Sequence, residues 1–187
     1  EKISLFYPLI ELFTGLLFAT CFYSFGFSYD LIIGLALVSL LSIVIVSDVN
    51  FYIIPDEVTI FFGILIIIIN IFKYGFIPSL TYILYGIIMF LFMYIIMLLG
   101  KFMFKEEALG GGDVKLVFVL GLTLPIMASF LGLILGTLIA FPISLYLLLS
   151  KKDKIIPFGP FLILGTLIIF LMKIDINSIM EYISLIY

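Results

Sequence analysis

"LIIGLALVSLLSIVIVSDVN", residues 31–50, decides the fold. Residues 31–47 carry no charge, and the run then meets a carboxylate, Asp48. A hydrocarbon core of roughly 30 Å takes about 20 apolar residues per helical crossing. The stretch therefore reads as a membrane helix with an acid at one end. The rest of the chain has the same character. Of its 187 residues 65% are hydrophobic and 11% charged, with a mean hydropathy of +1.45. Such a composition belongs in a bilayer.

Working outward, apolar runs bounded by charge, Pro or Gly predict spans at about 5–24, 31–47, 58–72, 80–99, 114–124, 126–149 and 155–172. The expected fold is an all-α polytopic membrane bundle of about seven transmembrane helices, in one integral-membrane domain over residues 1–187. The fifth run is short and stops at Pro125. It either continues as a kinked helix or crosses a thin, protein-lined region. The tail "IDINSIMEYISLIY" has helical apolar spacing and suits the interface. Lysines test the topology, because they collect in cytoplasmic loops. Seven spans with the N-terminal end inside put Lys2, Lys101, Lys105, Lys115, Lys151, Lys152 and Lys154 on one side, and Lys73 and Lys173 on the other. The same topology places Asp48, Asp56 and Asp113 on the cytoplasmic face.

The net charge of −3, with all nine basic residues Lys, argues against a nucleic-acid partner. The single Cys21 excludes an intrachain disulfide and a cysteine-based zinc site. There is no His, the commonest metal ligand and general base. Acid–base chemistry must come from carboxylates, Lys or Tyr, and the residues call for no metal or cofactor.

The acids sort by place. Glu1, Asp153, Asp175 and Glu181 read as solvated charge in loops or tails, as do Glu106 and Glu107. Asp30 and Asp56 stand where they can cap the second and third helices. Glu11, inside the first span, reads as a buried polar residue bonded between helices. Asp48 faces the negative end of its own helix dipole, with no capping benefit. Asp113 follows Gly110, Gly111 and Gly112 in "ALGGGDVKL" (108–116) and also reads as a cap. A cap, however, needs no run of three glycines, which carries a large entropic cost. Glycines let a backbone approach something closely or let a loop swing. Two carboxylates delivered to one membrane face within a few ångströms would share a proton. One could then activate water while the other polarises a peptide carbonyl. Helix dipoles alone make Asp113 the charged member and Asp48 the proton carrier.

"GGGDVKL" resembles the G-x-G-D-x-K form of the type IV prepilin leader peptidases, within the membrane aspartyl proteases. "SDVNFYIIPDEVT" resembles that family's first catalytic segment. "YPLIELFTGLLF" (7–18) resembles the segment after the cysteine-bearing insert of bacterial members, and "IPFGPFLILG" (156–165) their late Pro-Phe-Gly-Pro helix. The four matches occur in the family's order. The resemblance implies a multi-pass inner-membrane peptidase that cuts the short basic leader from prepilins and pseudopilins of type IV pilus and type II secretion systems, at the cytoplasmic face. Its catalytic aspartates would be Asp48 and Asp113. Gly110, Gly111 and Gly112 would form the motif loop, Asp56 an accessory acid and Lys115 the motif lysine, holding the loop or reaching to headgroups. Asp56, Glu57, Glu106 and Glu107 would attract the leader. The partners implied are the substrate helix and membrane lipid. The family's N-terminal helix and C-x-x-C insert have no counterpart in this sequence, so N-methyltransferase activity is not expected of this chain.

Two other readings compete. A proton- or ion-coupled transporter could use Glu11, Asp48 and Asp113, but it calls for more acids at mid-bilayer depth and for internal symmetry. A non-enzymatic scaffold gives no reason for the three glycines. Gly132 and Gly136 form a G-x-x-x-G suited to close helix packing, within the fold or in a homo-oligomer. Met89, Met93 and Met97 should share one face of the fourth span. Tyr82, Tyr85 and Tyr94 read as packing or interfacial residues.

Overall fold

A computed structural model describes residues 6–105, 109–149 and 157–173. They form seven helices: α1 (Phe6–Phe25), α2 (Tyr29–Phe51), α3 (Asp56–Tyr74), α4 (Phe76–Phe104), α5 (Gly111–Gly121), α6 (Ile126–Leu149) and α7 (Gly159–Leu171). Among the described residues there is no strand. Five helices, α1, α2, α3, α4 and α6, are long and apolar enough to cross a membrane. The chain is a helical membrane bundle, as its hydropathy predicts.

The two short helices are the most enclosed. The 11 residues of α5 reach about 16 Å at 1.5 Å per residue, well under the roughly 30 Å core. Val114, Leu116, Val117, Val119 and Leu120 of α5 are buried, as are Leu162, Ile163, Leu167, Ile169 and Phe170 of α7. Helix α5 packs mainly against α4 and α3, and α7 against α6 and α2, so neither has to match the bilayer's thickness. The fifth helix does not run through Pro125. It ends in a turn, with the N–H groups of Leu122 and Thr123 donating to the carbonyls of Val119 and Leu120 at 3.2 and 3.1 Å. A new helix starts directly after the proline, which disfavours helical backbone in the residue before it. Asn70 of α3 fastens this turn, its Nδ2 donating to the Leu122 carbonyl at 2.8 Å in the interior.

The glycine pair of α6 packs against α7. A Cβ on Gly136 would lie 2.6 Å from the Phe161 carbonyl oxygen, and one on Gly165 would strike the Gly136 nitrogen and the Gly132 carbonyl. The G-x-x-x-G is thus used inside the fold. Met89 and Met93 of α4 are buried, with Met97 packed beside the core. Tyr74 and Tyr82 stack at 4.9 Å, joining α3 to α4.

The ends of the bundle differ in charge. At one end Lys73 pairs with Asp30, and Lys173 donates to the Ser24 carbonyl at 2.8 Å. At the other lie Asp48, Asp56, Asp113 and Lys115. The structure corrects several sequence expectations. The cap of α2 is Ser28, whose hydroxyl accepts the Leu31 N–H at 3.2 Å, and Asp30 sits inside the first turn. Pro55 occupies the cap position of α3, so Asp56 is its first helical residue. Glu11 is exposed on α1, at a groove of about 670 Å³ between α1 and α2, and not buried. Helix α4 continues through Phe104, five residues beyond the predicted end at 99, and closes on a left-handed Lys105 with φ 57°. Glu106, Glu107, the tail and Lys2, Lys151, Lys152 and Lys154 lie outside the described residues.

Candidate active site

Asp48 lies in the last turn of α2, where the N–H of left-handed Tyr52 returns to the Asp48 carbonyl at 2.9 Å. Its residue exposure is 7%. That burial would strand the carboxylate, but the first residue of α7 meets it. The Gly159 N–H donates to Asp48 Oδ2 at 3.1 Å, across 111 residues of sequence. The N–H groups in the first turn of a helix have no partner within it, and the positive end of the dipole faces the acid. "PFGP" supplies this geometry, because Pro160 suits the first turn and Gly159 leaves room for the carboxylate.

Asp113 is the third residue of α5. The cap is Gly110, whose carbonyl accepts the Asp113 N–H at 3.1 Å. The Gly110 N–H in turn donates to the Asp113 carboxyl, which is the back-reaching half of a capping box. Asp113 therefore caps from the third position and not from the cap position itself. Its Oδ1 is buried and has no hydrogen-bond partner among the described residues. The charge of Asp48 acts on Asp113, so the two sequence-predicted carboxylates, from α2 and α5, lie near one another at one end of the bundle.

Ile54 links their supports. In the short connection between α2 and α3, it is 7% exposed. A Cβ on Gly112 would lie 3.1 Å from Ile54 Cβ, and one on Gly159 would lie 2.8 Å from Ile54 Cδ1. Gly112 is thus required for close approach. A Cβ on Gly110 would meet Asp113 Oδ2 at 3.2 Å, and one on Gly111 would meet nothing within 4 Å.

The accessory residues take another direction. Lys115 Nζ donates to both oxygens of Asp56 at 2.7 Å, tying the starts of α3 and α5. The pair is half-exposed. Residues i and i+2 point to different sides of a helix, so Lys115 leaves Asp113 to Asp48. Beneath the pair a groove of about 500 Å³ runs between α3, α4 and α5, lined by Thr59, Gly63, Ile67, Phe90 and Phe118. Glu57 is exposed beside Asp56. Sequence reasoning did not single out Ile54 or the role of Gly159. The Gly159 motif was visible, but nothing local says which acid its N–H would meet.

Fold and site define a class: a multi-pass helical membrane protein with two carboxylates converging from separate helices at one end. The sequence pattern of the type IV leader peptidase family matches residues 35–145, and the chain belongs to that family. It is 32% identical over 181 residues to the prepilin leader peptidase/N-methyltransferase of Bacillus subtilis (strain 168), covering 91% of this chain and 68% of that protein. It is 36% identical over 144 residues to the protein of that name from Myxococcus xanthus (strain DK1622), covering 73% and 43%. Against the Neisseria gonorrhoeae protein it is 30% identical over 169 residues, covering 90% and 58%. The chain thus spans about two-fifths to two-thirds of the length of these relatives. No solved structure matches it.

Proposed function

We propose that this chain is an aspartyl endopeptidase that removes the short basic leader from type IV prepilins or pseudopilins at the cytoplasmic face of the inner membrane. Asp48 and Asp113 are its catalytic pair, and Gly110 at the cap of α5, with Gly111 and Gly112 in its first turn rather than in a loop, presents Asp113 to the scissile bond. The observation that supports this reading is the nearness of the two acids, with the charge of Asp48 acting on Asp113 at one end of the bundle, in a chain of a leader peptidase family. Two carboxylates brought within a few ångströms of each other on a substrate would hold one proton between them. Such a pair hydrolyses an amide by general acid–base action on water and carbonyl.

Asp56 and Glu57 give the same end an acidic rim, which suits a basic leader entering from the aqueous side. The transporter reading gains nothing from Glu11, which opens onto a groove between α1 and α2 that Asp113 does not line. The test is co-expression of a prepilin with the wild-type chain and with its Asp48→Asn and Asp113→Asn forms. The wild type should yield the shortened pilin on a gel, and each variant only the uncut form. Leader removal by either variant would end the paired-acid reading.

A further inference from the structure

We infer that the backbone N–H of Gly159 is the positioning group of the acid pair, making Asp48 the charged, water-activating member and leaving Asp113 to carry the shared proton. The inference rests on the paired-acid reading and adds the roles within it.

Taken alone, the dipole of α2 would give Asp48 the proton. The tertiary structure sets a second helix against it. Gly159 opens α7, a helix of 13 residues, and its N–H is directly bonded to Asp48 Oδ2 at 3.1 Å in the interior. A direct hydrogen bond to a charge outweighs the field of a helix end, which fades within a turn. Asp113 also receives one N–H, from Gly110. The two acids differ in their remaining oxygen. Asp113 Oδ1 is one of two buried side-chain polar atoms without a hydrogen-bond partner among the described residues, the other being Asn70 Oδ1; no oxygen of Asp48 is in that state. A charge spread onto an unpaired buried oxygen is costly, whereas a protonated carboxyl turns that oxygen into a donor. Among the described residues, α4 carries Lys101 in its last turn and Lys105 just beyond, and neither is among the groups acting on either acid. Described α7 residues up to Leu171 carry no charge, α3 presents Asp56 and Glu57, and α5 presents Lys115, which is taken up by Asp56.

The side chain at 159 must be absent for this contact. A Cβ there would lie 2.8 Å from Ile54 Cδ1, 3.0 Å from Val44 Cγ1 and 3.2 Å from Asp48 Oδ2. Only glycine brings its amide in so close.

The step balances. Asp48 takes a proton from water as the water oxygen bonds to the carbonyl carbon, and Asp113 gives its proton to the carbonyl oxygen. The C–N bond then breaks. Asp48 passes its proton to the leaving nitrogen, and the new hydroxyl returns one to Asp113, restoring the starting state.

Two measurements on the full chain in nanodiscs test this. An epoxide, which alkylates ionised carboxylates, and a diazoacetyl ester, which esterifies protonated ones, are applied separately and located by peptide mass mapping. The epoxide should mark Asp48 and the diazo reagent Asp113. The opposite pattern, or an even distribution, overturns the inference. Next, Gly159 is replaced by glycolic acid through nonsense suppression, exchanging the N–H for an ester oxygen without adding an atom that crowds Ile54. Losing one donor to a charged group should lower kcat roughly 10- to 100-fold at unchanged KM. Because the lost bond favoured the charged form, the acid limb of the kcat profile should move to higher pH. A merely destabilised protein would lose active fraction without that movement, so an unmoved limb overturns the inference. If the Asn variants still cut, the paired-acid reading fails instead. A reversed labelling pattern with inactive Asn variants removes only the assignment of roles within the pair.

Discussion

Ile54 touches both halves of the candidate site, and its environment makes a quantitative prediction at the scale of one residue. Gly112→Ala puts a methyl 3.1 Å from Ile54 Cβ. Overpacking of this kind costs about 1–3 kcal/mol. Ile54→Gly alone, which also removes the Cβ that the new methyl would crowd, empties a buried position and costs at least about 2–5 kcal/mol. Together the two changes should cost less than their sum, because the new methyl enters the space Ile54 leaves. Thermal unfolding of the four proteins in detergent measures this, and strict additivity would show that Gly112 and Ile54 do not meet. Lys115→Met makes a contrasting case. Its ion pair with Asp56 is half-exposed, and such pairs are worth about 0–1 kcal/mol. Stability should barely move in the same assay, despite two short hydrogen bonds.

At the scale of elements, the contact of α6 with α7 governs the site from a distance. Gly136 lies against the Phe161 carbonyl and Gly165 against the α6 backbone. Gly165→Leu must push the helices apart and with them the start of α7, which carries the N–H that meets Asp48. We expect a loss of at least about 3 kcal/mol, the range of severe core disruption, together with loss of leader removal. Gly15→Leu on α1 is the matched control. A Cβ there meets nothing within 4 Å, and its effect on unfolding should stay within about 0.5 kcal/mol. Equal effects of the two substitutions would refute the helix packing described. Asn70→Ala removes the donor that fastens the α5–α6 turn to α3. It should cost about 1–3 kcal/mol, since it leaves the Leu122 carbonyl buried and unpaired.

At the scale of the whole molecule, charge and membrane order act together. Asp56 and Glu57 stand at the same end as the acid pair, with Glu106 and Glu107 adjoining in sequence. Reversing the four charges should slow cleavage of a basic leader and spare a neutral one. The difference should shrink as salt rises, because exposed charges are screened over about 10 Å at 0.1 M. Initial rates on the two substrates at low and high ionic strength provide the check. Equal slowing of both would mean that the rim does not select the leader by charge.

The sequence alone determined that the chain is a helical membrane protein, roughly where its helices lie, and which two acids to watch. Uninterrupted apolar length is a local property, and a bilayer reads it directly: residues 126–149 were bounded to the residue. Asp48 and Asp113 were legible because charges are scarce and one follows three glycines. The tertiary structure alone decided that α5 and α6 are separate, that Gly132 and Gly136 serve α7, that Ser28 and not Asp30 caps α2, and that Gly159 and Ile54 belong to the site. The reason is physical. In a soluble helix the polar face marks the outside, but in this bundle lipid and protein interior are equally apolar, so the sequence hardly distinguishes a face that packs from one that meets the bilayer. A hydrogen bond across 111 residues depends on that missing choice of faces.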